Sequence, residues 1–416
     1  MARAFCALSV ALLAALIAVS VALTVSNSRT AAVPTVTPVA PAVAPKFSIA
    51  REAFGQYTRV LIRNEGILHF AFCFALDVHE VSCLSLPFPA FLIIIFFSRC
   101  AATGEYVAVL PEVGGTVHQL TLRSVRDATQ LHTLLNNEPV PELLPSSPMF
   151  RGARLNPWPN RIPNGQFVFD GTSYRVPIND LSHNMSIHGL LYKRNMTVVS
   201  ESISATQASV ELSFDFGAAP TRDIGYPFPV LLKIVYALTA QGEFIATTTA
   251  TLIGPPDSSA PFGDGWHPYF VLAAGSTNAL FARVPSTTQV QLDSSQLPLP
   301  GVPTLPFTRI PADGSLLRLY DMDVCLVVDA ARTVTRRIGA SDVRVAETVL
   351  SHPDTRLEVV VFQEAASYPY VQLFTQWNEV AIEPVTAPAN AFNTGVGLIR
   401  LQSGIPWSGQ MGVYIV

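Results

Sequence analysis

Residues 231–252 read LLKIVYALTAQGEFIATTTATL, and this stretch decides the fold class. LLKIVYAL and EFIATTTATL flank Gln241-Gly242, and both alternate with the period of two that sends successive side chains to opposite faces of a strand. The pair therefore predicts a hairpin. A second one is predicted by QFVFDGTSYRV (166–176), where two short strands surround Asp170-Gly171. In SVELSFDF (209–216), Val210, Leu212, Phe214 and Phe216 share one face. RLEVVVF and YVQLFTQ supply further strands. The chain shows no amphipathic helix of three turns with both caps and no repeat at solenoid spacing. The expectation is all-β: a large antiparallel β-sandwich in a single domain over 46–416.

Composition agrees with that reading. Of 416 residues only 13% are charged, about half the usual ~25%, and 33 are proline. A net charge of −4 leaves no basic footprint for nucleic acid. Residues 5–25, FCALSVALLAALIAVSVALTV, follow Arg3 without a charge. A run of ~20 apolar residues reaches across a bilayer, whereas a signal-peptide core is usually ~7–15. Residues 1–25 are expected to be a signal peptide or an N-terminal membrane anchor. That places the rest of the chain in the secretory pathway, lumenal or extracellular. Residues 26–45 read as a Pro/Ala-rich linker. The five cysteines, Cys6, Cys73, Cys83, Cys100 and Cys325, form no metal-type CxxC pair and indicate no disulfide framework.

Residues 66–101, GILHFAFCFALDVHEVSCLSLPFPAFLIIIFFSRCA, disagree with their surroundings. AFLIIIFF is too short to span a membrane and too apolar for a surface loop. Joining Arg63-Asn64-Glu65 directly to ATGEYVAVLPEVGG (102–115) makes a strand–turn–strand. The segment reads as an insertion, such as a translated intron.

Three stretches combine loop character with aromatic and polar side chains, NPWPNRIPNG (156–165), HNMSIHGL (183–190) and GDGWHPYF (263–270), and Glu383 in the strand end VAIEPV (380–385) closes the list. Taken singly each has a bland reading: Arg161 as a surface ion-pair partner, His188 as a loop or capping residue, WHPYF as an aromatic corner. Metal, dinucleotide and nucleophile-elbow patterns are missing: there is no HExxH, no third glycine after Gly263-Asp264-Gly265, and no GxSxG. What remains is acid/base work by imidazoles, a carboxylate and an arginine, without metal or nucleophile. In the strand end, Ala381 and Glu383 share the face opposite Val380 and Ile382, and Pro384 favours an extended Glu383. Glu379 lies in the same strand but off the motif, and its substitution is expected to be nearly silent.

The same stretches, in the same order, resemble those of the aldose 1-epimerases (galactose mutarotases). RGARLNPWPNRIPNGQFVFDGTSYRVPIN (151–179) resembles that family's Asn-Arg-Ile segment, SIHGL (186–190) its His-Gly motif, GWHPYF (265–270) its His-Pro-Tyr-Phe motif, and VAIEPVTAPANAFNTG (380–395) its Glu-Pro strand end. The resemblance spans roughly 103–416, with a weaker extension back to about 46. It implies a β-sandwich with an open sugar cleft that interconverts the α and β anomers of free aldoses such as galactose and glucose without a cofactor. By motif, His267 would protonate the ring oxygen and Glu383 would take the proton of the anomeric hydroxyl. Asn160, Arg161 and His188 would hold the sugar. In DMDVCLVV (321–328), Asp323 best matches the family's substrate-binding aspartate, with Asp321 competing. Two departures stand out. Leu190 follows His188-Gly189 where the family often has a second glycine, and Asn184 is the candidate for an asparagine normally nearer the histidine.

Two rival functions share these residues: a non-catalytic carbohydrate-binding sandwich, and an epimerase acting on a phosphorylated hexose. The presence of both an acid and a base weighs against the first, and the low lysine content against the second. If the chain is secreted, the sequons at Asn184 and Asn195 become available, with modification expected at Asn195.

Overall fold

A computed structural model describes residues 47–64, 104–124, 126, 130–218, 224–272, 280–309, 317–355 and 357–416. The expectations for 1–25, 26–45 and 66–101 lie outside the described residues. Among the described residues no helix is long and apolar enough to cross a membrane.

The opening stretch forms its hairpin. Strand Val230–Thr239 pairs antiparallel with Phe244–Leu252, in a register that runs from Val230 opposite Leu252 to Leu238 opposite Phe244. Val230, Leu232, Ile234, Tyr236 and Leu238 are fully buried, while the residues between them are only partly so until the strand end. Across the pair, Phe244, Ala246, Thr248, Ala250 and Leu252 face the same core. Fully burying each large aliphatic contributes roughly 1.5–3 kcal/mol, so the alternating pattern decides which face turns inward. Gly242 sits in the turn with φ +78, where a β-carbon would meet Glu105 Oε1 at 2.5 Å.

This hairpin is the centre of a ten-stranded sheet that also takes in Thr197–Ile203, Gln207–Asp215, Trp407–Ile415, Leu357–Glu364 and Ser341–His352. A five-stranded meander is built from Phe47–Phe54, Tyr57–Asn64, Glu105–Leu110, Thr116–Arg123 and Leu131–Thr133 in chain order. A six-stranded sheet and four two-stranded pairs complete the set among the described residues. One apolar cluster draws on all three larger sheets, joining Val60, Val107 and Leu120 to Leu232 and Val413 and to Leu373 and Ile382. The fold is all-β and antiparallel, and among the described residues the one α-helix is Ala391–Thr394.

Tyr57–Asn64 and Glu105–Leu110 are direct antiparallel neighbours, with Asn64 opposite Glu105. The Asn64 amide donates to Glu105 Oε2 at 2.7 Å, and both side chains are buried. Residues 65–104 therefore connect two strand ends that already lie side by side.

Candidate active site

The six-stranded sheet runs Tyr269–Phe270, Glu379–Val385, Tyr370–Gln376, Asp323–Val327, Thr288–Val290, Thr304–Pro306. Its register sets Glu383 opposite Gln372, Ala381 opposite Tyr269, and Phe374 opposite Asp323. Tyr269, Glu383, Gln372, Phe374 and Asp323 line one open cleft of ≈ 540 Å³, counting its mouth.

His267 enters from the neighbouring short pair Trp266–His267 and Ala153–Arg154. A buried cluster pins that pair. Arg154 and Asp264 are both 0% exposed and joined at 2.6 Å, and Asp264 also accepts from Asn156 and Tyr368. Further hydrogen bonds offset the cost of burying a charge, and here they gather on Asp264, while Arg154 Nε finds no partner among the described residues.

The third wall is the pairing of Arg161–Pro163 with Met185–Ile187. Asn160 and His188 flank it in left-handed conformations, φ +55 and +62. The His188 N–H donates to the Asn160 carbonyl, and the Asn160 N–H donates to His188 Nδ1 at 3.2 Å. A backbone N–H can only donate, so Nδ1 carries no proton and Nε2–H is left as a donor. Gly189 follows with φ +72, and a β-carbon there would meet the Asn156 carbonyl at 2.0 Å. The His-Gly pair is thus a backbone requirement.

Asn160, Arg161, His188, His267, Asp323 and Glu383 all line this cleft. His267 Nε2 lies 3.4 Å from Glu383 Oε1. The His267 ring stacks on Tyr269, with centroids 5.0 Å apart and planes 15° from parallel, and meets His188 edge-on at 5.0 Å. Burial pushes His267 down to about 3; its own carbonyl opposes this without a proper hydrogen bond, and the charge of Arg151 adds to it. Burial also raises Glu383 well above the ordinary carboxyl range, Asp323 raises it further, and Arg161 opposes. Asp323 is raised by burial, against Arg161 and the Gln372 amide, which donates to it at 2.7 Å. His188 is lowered by burial, then by His267 and Arg161. A dry site thus favours the neutral form of each group.

Asp321 does not share the cleft: it is exposed, at φ +47, and its carbonyl accepts from Arg309. Asn184 is exposed and donates to Asn164 Oδ1 at 2.8 Å, away from the lining residues. Asn195 is exposed, whereas Ser186 of the other sequon is buried.

Gln372, Phe374 and Gln376 were legible only as alternate positions of YVQLFTQ, and Phe150 and Asp180 carried no motif. Asp180 lies 3.7 Å from Arg161 Nε. Glu379 requires a correction. It is 0% exposed and bound by Arg151 and Asn136, so it is a buried ion-pair partner, and its substitution will not be silent. Period two puts Glu379 on the Glu383 side of the strand but does not say what packs there.

An antiparallel β-sandwich with a buried imidazole–carboxylate pair in an open cleft defines the class. Residues 100–414 match the family model for aldose 1-epimerase, and the chain belongs to that family. Membership implies an isomerase of the epimerase type with a sugar substrate. Among curated proteins, the chain is similar to the uncharacterized protein YihR of Escherichia coli K12, 28% identical over 317 residues, which cover 73% of this chain and 89% of that one. A galactose mutarotase-like protein from Clostridium acetobutylicum superposes with TM-score 0.67 at 19% identity, over 89% of this chain and 99% of that one. A galactose 1-epimerase from Lactobacillus acidophilus gives 0.61 at 14% identity, over 90% and 99%. At these identities the structural likeness is one of fold.

Proposed function

We propose that this protein interconverts the α and β anomers of a free, unphosphorylated aldose such as galactose or glucose, by acid/base-catalysed ring opening and reclosure. The observation that carries this reading is the 3.4 Å approach of His267 Nε2 to Glu383 Oε1 between two buried side chains of one cleft. The Glu383 carboxylate takes the proton of the anomeric hydroxyl. The electron pair released becomes the C1=O1 double bond as the bond from C1 to the ring oxygen breaks. The pair holds one proton, and in the form that carries it on the imidazole rather than on Glu383, His267 delivers it to that ring oxygen. The open-chain aldehyde turns about C1–C2. On reclosure the hydroxyl returns its proton to His267 as it attacks either face of C1, and Glu383 returns its proton to O1. No proton or electron is consumed overall.

Burial assists this exchange, since a carboxylate raised towards neutrality is a stronger base than a solvated one. His188 Nε2–H, Arg161 and Asp323 supply donors and an acceptor for sugar hydroxyls. Among the described lining residues the one cation is Arg161, which already faces Asp180 and shares the cleft with two carboxyl groups. That balance favours a neutral sugar over a phosphorylated one. Polarimetry of freshly dissolved α-glucose and α-galactose tests the proposal. Mutarotation no faster than buffer with both sugars would overturn it.

A further inference from the structure

His267 lacks the usual means of aiming a catalytic imidazole. Such rings are ordinarily oriented by an Nδ1–H bond to a carboxylate or carbonyl. Here Nδ1 is buried and finds no hydrogen-bond partner among the described residues. The groups that face the ring are Glu383 at Nε2, His188 at its edge and Tyr269 stacked against it, with Arg151 over Tyr269.

We propose that Arg151 is a positioning residue for the reaction: anchored by Glu379 and Glu138, its guanidinium packs over Tyr269 and so fixes the ring on which the His267 imidazole is stacked. The inference rests on the reading of His267 as the acid at the ring oxygen.

The anchoring is two-sided. Arg151 Nη2 donates to Glu379 Oε1 at 2.6 Å and its Nε to Oε2 at 3.2 Å, a two-pronged grip that fixes the guanidinium plane. Its Nη1 donates to Glu138 Oε1 at 2.7 Å, where Ser147 also donates. The guanidinium carbon lies 5.4 Å from the centre of the Tyr269 ring, within cation–π range. The network closes on the same tyrosine from its backbone: Asn136 donates from its side chain to Glu379 and from its N–H to the Tyr269 carbonyl at 2.8 Å. The residue after Arg151 completes the hold, because the Gly152 N–H donates to the His267 carbonyl at 2.8 Å. One short segment therefore fixes the backbone of His267 directly and its ring through Tyr269. The Arg151 charge, after burial, also disfavours imidazolium in the resting cleft.

The test compares Arg151→Lys, which keeps the charge but not the fork, with the double variant Arg151→Gln/Glu379→Gln, which removes the Glu379 pair together and leaves Glu138 with the Ser147 hydroxyl. Two quantities are read: kcat and KM for α-galactose by polarimetry, and the His267 imidazole titration by NMR, assigned with His267→Asn. In the double variant kcat should fall by roughly 10²-fold, the cost of misplacing a reacting group, with KM changed by no more than about twofold. Its His267 midpoint should move up. Tyr269→Phe, which keeps the ring and the charge above it, should retain the wild-type titration, and Tyr269→Leu, which removes the ring, should reproduce the fall in kcat of the double variant. If the double variant folds with wild-type kcat and an unchanged His267 titration, Arg151 is only a structural ion-pair partner. Should the double variant not fold, Arg151→Lys decides: lower kcat at unchanged KM supports positioning, while a lower Tm with wild-type kcat and titration overturns it. The two proposals fail separately. Wild-type protein without mutarotation sinks the proposed function, yet the His267 titration still reports on Arg151.

Discussion

Glu379 and Glu383 stand four residues apart on one strand, both buried, in opposite electrostatic company. Glu379 is neutralised by the Arg151 fork at 2.6 Å, whereas Glu383 meets the His267 imidazole at 3.4 Å with Asp323 nearby. A carboxylate gripped by a guanidinium is a structural ion. One held beside a neutral imidazole is available to exchange a proton.

The two glutamates should therefore fail differently. Glu383→Gln keeps shape and hydrogen bonding but removes the base, and should lower kcat by about 10²–10⁴-fold with little change in KM. Glu379→Gln leaves Arg151 short of a counter-charge and should cost stability, up to about 3–5 kcal/mol for a broken buried pair. Polarimetry with thermal unfolding on both variants checks this. Wild-type turnover in Glu383→Gln would show that the base lies elsewhere.

Stability should follow pH with a sign set by Glu383. Its folded pKa lies above its unfolded value, so between the two the native state holds more protons. Stability from this group is then complete below the ordinary carboxyl pKa and is lost as pH rises towards the raised value. His267 and His188 act oppositely: their lowered values make the fold lose stability as pH falls below their ordinary value of 6.5. Melting curves from about pH 5 to 8 should show Glu383→Gln gaining most over wild type at the alkaline end. An equal difference at all pH values would contradict the burial-driven shift.

The same directions reassign the limbs of the activity profile. A bell is expected, but its acid limb follows the lowered imidazole and its alkaline limb the raised carboxyl, the reverse of their order in water. The limbs belong to the pair, which holds one proton between them. Plots of kcat/KM against pH for wild type and His267→Asn check this. An acid limb unaltered by His267→Asn would refute it.

Arg161→Ala and His188→Asn should act mainly on binding. Each removes a partner for sugar hydroxyls, and a hydrogen bond involving a charged group is worth about 1.5–3 kcal/mol, or roughly 10–100-fold in KM. Arg161→Ala also strands Asp180, which His183 and Ser182 partly compensate. A fall in kcat at constant KM would move either residue into the proton transfer.

Asn64 and Glu105 bear on residues 65–104. The strands they end are already paired, so replacing 65–104 with a short turn should preserve folding and mutarotation. Loss of soluble, active protein on that deletion would show that the segment belongs to the working chain.

The sequence by itself determined the strands, because alternation is a local property: LLKIVYAL turns every second side chain to the same face, and Gly242 marks the turn. It also ordered the four motif stretches, since Asn-Arg, His-Gly, His-Pro-Tyr-Phe and Glu-Pro each constrain their own backbone, as Gly189 does against the Asn156 carbonyl. Only the tertiary structure decided which side chains meet. Period two says that Ala381 and Glu383 face together, but not that Glu379 on that face is claimed by Arg151 from more than two hundred residues away. Nor does it say that Gln372 reaches Asp323, or that Asp321 turns outward. Partner choice depends on strand register and sheet order, which are settled by long-range packing and leave no trace in the spacing along the chain.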